Sequence, residues 1–291
     1  MEQQFESAVN AIVSGDIATL KELLKKDPSL VQAKSTRDHK ATLLHYIGAN
    51  GVERERQMTP SNAVEITQML IEAGAEVDAL SEIYGGGPQS TTLNLLLTST
   101  HPARAGLMAK LVEVLCHTKA AVNGVADDGS PLDAAIAFMY PSQFLKHQYH
   151  AAIEAIQVLT ENGARLMNPN AAVVVGDSNF IRDYFRGKAE SDKQRKRLVG
   201  AFIFACMCGQ IDIAEFLLEK DLSINISYAK NQTGLHLAAG CGQENVARFL
   251  VERGADMTCP DDQYEKTPLE WAEHFKEKEV ETYLRSVAKN P

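Results

Sequence analysis

Aromatic residues are scarce in this chain of 291 residues, at 7% with a single Trp, and the 45% apolar share is carried mainly by Leu, Ile, Val and Ala. That composition belongs to a soluble helical protein. No run of eighteen apolar residues occurs, so no stretch reads as a membrane span. Residues 1–24 are polar and periodic, unlike a charged-then-apolar leader, and a cytoplasmic location is expected. Cysteine is limited to five residues, an odd number without framework spacing, which suits a reducing compartment. Positive charge is in deficit, with 29 Lys and Arg against 38 Asp and Glu, a net of −9. This argues against a general role on nucleic acid or anionic membranes.

What the chain does have is a sentence written twice. Residues 201–210 laid over residues 234–243 superimpose Cys208-Gly209-Gln210 on Cys241-Gly242-Gln243, an offset of 33 residues. The match runs on into Ile213-Ala214-Glu215-Phe216-Leu217-Leu218 over Val246-Ala247-Arg248-Phe249-Leu250-Val251. A fixed period of this size marks a solenoid, whose units stack into one continuous core. Walking outward from Leu235, equivalent positions fall at Ala8, Leu44, Leu93, Leu132, Pro169, Phe202, Leu235 and Leu269, with spacings of 36, 49, 39, 37, 33, 33 and 34 residues. Eight units in a single domain over residues 1–291 are expected.

Each unit opens on a hydroxyl residue and a Leu, as in Thr42-Leu43-Leu44-His45, Ser130-Pro131-Leu132-Asp133, Thr233-Gly234-Leu235-His236 and Thr267-Pro268-Leu269-Glu270. The hydroxyl caps a helix and Pro fits its first position. A Gly about seven residues on (Gly15, Gly51, Gly176, Gly209, Gly242) ends that helix in the left-handed conformation. A second helix follows, with apolar residues at helical spacing such as Ile66, Met69 and Leu70, and several close on Gly-Ala at Gly74, Gly163 and Gly254. In this register the run Val173-Val174-Val175, which alone reads as a buried strand, belongs to a helix. The pattern resembles that of an ankyrin-repeat protein, Thr-Pro-Leu-His-x-Ala-Ala, then Gly, then a second helix closing on Gly-Ala. The resemblance covers nearly the whole chain, best in units four and six to eight and weakest in three and five. It implies an all-α ankyrin-repeat solenoid of about eight helix-turn-helix units, with polar caps around Asn10, Ser14, Asp16, Lys21 and Lys25 and around Lys276, Glu277, Lys278, Glu279 and Arg285.

The distance from Leu235 to Leu250 is 15 residues, but the equivalents are 26 in unit two, 22 in unit three and 27 in unit four. Three neighbouring units therefore enlarge the same turn, at about 52–61, 99–105 and 140–147, and the loops are expected side by side. A further enlargement, 81–91, carries Tyr84-Gly85-Gly86-Gly87-Pro88 in the finger between units two and three. It lacks the Lys-Ser/Thr of a phosphate-binding loop and reads as a finger tip.

The resemblance implies that Asn50, Ser99, Phe138, Val175, Cys208, Cys241 and Phe275 face a concave groove, the alternative being that half of them pack against neighbouring fingers. It also implies that His45 and His236 bond to turn backbone, and that Cys208 and Cys241 lie too far apart for a disulfide. Cys206 and Cys208 are one residue apart, against the two to four of a zinc pair, so burial is favoured. His147 and His150 lack an identifiable third ligand. The insertion with Glu53, Arg54, Glu55 and Arg56 reads as a solvated or partner-facing loop, since no Ser-His-Asp or Cys-His ordering is visible. Seven cations against three carboxylates over residues 182–197, a net of +4, form a basic finger between units five and six.

The expected function is non-catalytic protein binding by a monomeric scaffold, without cofactor or metal. Its partner-binding residues are Asn50, Glu53, Arg54, Arg56, Tyr84, Ser99, His101, Phe138, Val175, Cys208, Cys241 and Phe275. One alternative is an enzyme or small-molecule binder with a pocket under the inserted loops around Tyr84, Glu53, Arg54, Arg56 and His101. Another is nucleic-acid contact through the 182–197 finger.

Overall fold

Small residues at the start of each repeat and branched apolar ones further on dictate pairs of short helices, and the computed structural model is built from them. It describes residues 2–125, 129–139, 146–187 and 191–288. The chain forms two compact units, Met1–Arg165 and Leu166–Pro291.

In the first unit, α1 (Glu2–Ser14) pairs with α2 (Ile17–Lys26), and a 3-10 helix, Leu43–Gly48, pairs with α3 (Ala63–Glu72). Next come α4 (Thr92–Leu97), α5 (Thr100–Arg104) and α6 (Met108–His117), then α7 (Pro131–Met139) and α8 (Lys146–Glu161). The first elements stack in chain order, α1 on the 3-10 helix, that on α4, and α4 on α7; α3, α6 and α8 form a second layer. The finger between units two and three is a hairpin of β1 (Ser81–Glu82) and β2 (Gln89–Ser90), with Ser81 opposite Ser90. Residues 99–105, expected as a loop, are mostly the helix α5, which packs on α8.

The second unit repeats the plan with α9 (Pro169–Val174), α10 (Ser178–Tyr184), α11 (Asp192–Cys208), α12 (Ile211–Leu218), α13 (Gly234–Gly240), α14 (Glu244–Glu252), α15 (Pro268–Phe275) and α16 (Lys278–Ala288). Val173 and Val174 are helical and Val175 is the C-cap, as the register requires, because Asn168 caps α9 by accepting from the Asn170 N–H and Pro169 takes the first turn. All five glycines expected to end first helices are left-handed, from φ 70 at Gly51 to φ 80 at Gly15. Close approach adds a second requirement, since a Cβ on Gly234 would meet the Cys206 sulfur at 2.7 Å. Cys206 is thus a small core residue, and burial pushes its thiol pKa up.

The Thr-x-x-His openings form capping boxes. Thr42 N–H donates to His45 Nδ1 at 3.1 Å, and Thr233 N–H to His236 Nδ1 at 3.2 Å. Each proton therefore sits on Nε2. His236 donates it to the Lys266 carbonyl of the next finger at 3.2 Å, so the imidazole ties turn backbone together. His45 Nε2 faces the backbone of Ala79 and Ser90 without closing a hydrogen bond. Burial depresses the His45 pKa from 6.5 to about 4, and burial also depresses that of His236. As pH falls the unfolded chain takes up the proton first. Stability contributed by the neutral ring is full above pH 6.5, falls across the window down to about 4, and is level below it. We expect a loss of up to about 3 kcal/mol from His45 across that window. Urea midpoints followed from neutral pH to pH 4 should fall, and less so in His45→Gln; midpoints that stay flat would show that the ring is not held neutral.

Candidate functional site

Tyr84 lies at the tip of the hairpin with φ 52 and ψ 20, a left-handed conformation uncommon for an aromatic residue. Three hydrogen bonds hold it there. Its N–H donates to the Gly51 carbonyl at 2.9 Å, its hydroxyl donates to Asn50 Oδ1 at 2.7 Å, and Gln57 Nε2 donates to that hydroxyl at 3.3 Å. Asn50 in turn donates to Thr98 Oγ1 at 2.9 Å. The enlarged turn of unit two and the finger after it are thus brought together, with the Tyr84 side chain 64% exposed and Met58 52% exposed.

Beneath this platform the insertion turns inward. Val52 is buried, and the Glu53 and Arg56 side chains are only 12% and 14% exposed. Glu53 accepts from the Tyr46 hydroxyl at 3.2 Å and lies within ion-pair range of Arg37 Nε at 2.5 Å, His39 Nε2 at 3.3 Å and Arg56 Nη1 at 3.6 Å, its Oε1 closing no hydrogen bond. Glu6 on α1 accepts from Arg37 at 3.0 Å and from Arg56 at 2.5 Å. Burial works to raise the Glu6 carboxyl, but these two guanidinium bonds outweigh it and hold it below its ordinary value. The expectation of a solvated loop is therefore corrected for Glu53 and Arg56: their charges pair with residues on α1 and the first finger, while Arg54 and Glu55 between them stay exposed. Among the described residues each carboxylate of this network, Glu6 and Glu53, lies within ion-pair range of two guanidinium groups.

A cavity of about 80 Å³ lies beside this network against Glu2, Phe5, Glu6, Ala33, Lys34 and Thr36. None of the residues expected to line a pocket under the loops borders it, and its volume is well below the ~300–1,000 Å³ of small-molecule sites. Among the described residues no group of three or more His, Cys, Asp or Glu is arranged to hold a metal ion.

The expected groove positions divide by burial. Ser99, Phe138 and Cys241 are buried, and Ser99 donates to the Ala49 carbonyl at 2.9 Å, so these three serve packing between first elements instead of presenting surface. Asn50, Val175, Cys208 and Phe275 are half-buried. Phe275 belongs to a ring cluster with Trp271, its centroid 5.4 Å away. His101 on α5 is half-buried, and burial, followed by the charge of Arg104, lowers its pKa; His147 on α8 is lowered by the same two causes. The remaining part of the unit-four insertion, 140–145, lies outside the described residues.

The basic segment is corrected in kind. Residues 192–197 are the first turns of the 17-residue α11, where a finger was expected. Ser191 caps the N–H of Gln194 at 3.3 Å while Gln194 Oε1 accepts from the Ser191 N–H at 3.1 Å, a capping box that starts the helix well ahead of the repeat register. The signal was present as Ser191-x-x-Gln194 and was missed. The structure also brings aromatic rings to the cations, for Arg197 donates to the Tyr184 hydroxyl at 2.6 Å and Tyr184 stacks on Phe180 with centroids 5.8 Å apart. Lys188 and Glu190 lie outside the described residues.

Comparison with known proteins bears on the repeats directly. The family model for ankyrin repeats (three copies) matches residues 170–261 and 202–290. No curated protein matches the chain. Among solved structures, the crystal structure of the human ASB11 ankyrin repeat domain is 19% identical, with 96% of each chain covered and a TM-score of 0.42. In the described residues no helix is long and apolar enough to cross a membrane. Ankyrin repeats generally serve as protein–protein interaction modules and are typically non-catalytic. Capped helix pairs, left-handed glycines, a Thr-x-x-His box and the family-model match together make residues 170–290 a stack of ankyrin repeats.

Proposed function

We propose that the chain is a non-catalytic scaffold that acts as a monomer in the cytoplasm and binds another protein through the platform of Asn50, Arg54 and Tyr84. His101 belongs to the same unit's binding surface, and in the second unit the half-buried first-helix positions Val175, Cys208 and Phe275 are further partner-contact residues in this reading. The observation that carries this reading is Tyr84 itself. An aromatic side chain kept in a left-handed conformation, pinned by Asn50, Gly51 and Gln57 and yet 64% exposed, costs conformational energy without filling a core. It is the arrangement of an interface anchor, whose ordering is complete before the partner arrives. Glu53 and Arg56 act as supports for that platform and do not contact the partner.

The test is affinity capture from native cytosol with wild type, Tyr84→Ala and Arg54→Ala, each checked for folding by thermal melting. A protein recovered by wild type and depleted about tenfold or more with Tyr84→Ala is expected, as for loss of a hot-spot aromatic. Identical recovery by folded wild type and variant would overturn the proposal.

A further inference from the structure

The face formed by α10 and the first two turns of α11 has a charge pattern that helix stability does not explain. Arg182, Arg186, Lys193, Arg195, Lys196 and Arg197 lie along these segments against Asp183 and Asp192, with Lys193, Lys196 and Arg197 on one side of α11 and Arg195 on the other. Arg186 neutralises Asp183 at 2.5 Å. Among the described residues Lys193, Arg195 and Lys196 enter no ion pair, and residues 191–197 are exposed throughout. Cations in the first turns of a helix oppose its dipole, and Lys193 repels Lys196 and Arg197 at three and four residues' separation. Asp192, placed four residues before Lys196, offsets only part of this. The remaining cations are steered by aromatic rings. Arg182 sits over Phe216 at 4.7 Å with Lys220 over the same ring at 4.9 Å, and Arg197 holds the hydroxyl of Tyr184, whose ring stacks on Phe180 and is 37% exposed.

We infer that this face binds a short acidic segment of a partner protein, one that also carries an aromatic side chain to lie against Tyr184. Carboxylates answer the unpaired Lys193 and Lys196, which share the side of α11 that carries Arg197, and a guanidinium group there takes a carboxylate as a charge-assisted partner. The exposed Tyr184 ring, already fixed by Arg197 and Phe180, gives a partner's ring a stacking surface at little ordering cost. Charge outside the patch selects a peptide over a nucleic-acid strand. The chain carries −9 in all and +4 across residues 182–197, so the rest carries −13. Two turns of helix span only about 10 Å. Three or four extended residues cover that length, whereas a longer phosphate strand would run off it onto negative surface. This surface is separate from the Tyr84 platform and stands or falls independently of the function proposed above, because the variants that test it leave residues 50–104 unchanged.

The test uses the full chain and a fluorescein-labelled twelve-residue peptide of repeating Glu-Glu-Tyr, with anisotropy read at low salt. Comparison probes are the same peptide with Lys for Glu, the same peptide with Ala for Tyr, and a twelve-nucleotide oligothymidylate. We expect binding of the Glu-Glu-Tyr peptide that weakens steeply between about 50 mM and 0.5 M salt, with none for the Lys peptide. The triple variant K193Q/R195Q/K196Q leaves the Arg197–Tyr184 bond in place and is expected to bind about tenfold or more weakly. Tyr184→Ala is expected to lose roughly three- to tenfold for the Tyr-containing peptide but not for the Ala peptide. K21E/K25E, on α2, is expected to bind as wild type. Equal binding by a triple variant that melts like wild type would overturn the inference, as would no binding of the acidic peptide. Tighter binding of the oligothymidylate than of the peptide would also overturn it and assign the face to nucleic acid.

Discussion

Trp271→Ala is expected to destabilise the protein by about 3–5 kcal/mol, the range for emptying a large aromatic site in a rigid core. Trp271 is fully buried. Its ring centroid lies 5.7 Å from His236, 5.6 Å from Tyr264 and 5.4 Å from Phe275. Across the α13–α15 contact the backbone comes so close that a Cβ on Gly240 would meet the indole at 2.7 Å. Rings and backbone of this kind cannot collapse into a cavity, so the upper part of the range applies. A polar loss is added to the packing loss. Indole Nε1 donates to Asp261 Oδ2 at 2.7 Å, and the same buried carboxylate accepts from the N–H groups of Gln263, Tyr264 and Lys266 in the turn before α15. Burial works to raise the Asp261 pKa, and these bonds, Trp271's first among them, hold it below its ordinary value. Trp271→Phe keeps most of the ring contacts and forfeits the bond, so it should cost less than half as much. Urea denaturation of the three proteins checks this, and a cost below about 1 kcal/mol for the Ala variant would show that the ring is not a core anchor.

The same stretch shows which kinds of information local sequence carries. Thr267-Pro268-Leu269-Glu270 announces a capped helix, and the structure delivers both halves of the box, with Thr267 N–H donating to Glu270 at 2.8 Å and the Glu270 N–H to Thr267 Oγ1 at 3.4 Å. Helix starts, left-handed glycines and the helical state of Val173 and Val174 are set within four or five residues and follow from spacing. Ser191-x-x-Gln194 is equally local, but the repeat register assigns residues 182–197 to a finger between units five and six.

The inward turn of residues 52–56 was not legible, for a different reason. Alternating charge looks solvated when read along the chain, and its pairing partners sit far away in sequence, Arg56 bonding to Glu6 across 50 residues. Nothing in a local window distinguishes a carboxylate facing water from one facing two arginines. Burial of Ser99, Phe138 and Cys241 escaped the reading similarly, because family position places a residue on a helix face without saying how closely the next helix approaches it. The exposure of Tyr84 and the meeting of Tyr184 with Arg197 likewise required the backbone to be in hand.

Glu53→Ala should cost roughly 3–4 kcal/mol, near the lower end of what breaking a buried ion pair costs. The lower end applies because Arg37 is 41% exposed and keeps Glu6, so only Arg56, His39 and Tyr46 lose a partner away from water. After the substitution two guanidinium groups share one carboxylate, Arg37 at 3.0 Å and Arg56 at 2.5 Å from Glu6 Oε2, and Glu6 alone is left to offset their mutual repulsion. Glu53→Gln keeps an oxygen to accept from Arg37 or Tyr46 and is expected to recover about half the loss, since the remaining bonds are no longer charge-assisted. The Glu53→Ala/Arg56→Ala double variant should cost clearly less than the sum of the singles, with a coupling of about 1 kcal/mol or more, because the residues share one network. Urea titrations of the four proteins decide the matter. A cost under about 0.5 kcal/mol for Glu53→Ala, the usual result for an exposed pair, would mean that the loop is solvated after all. The platform under Tyr84 would then lack its support, since Asn50 and Gln57 reach Tyr84 from the two sides of Glu53.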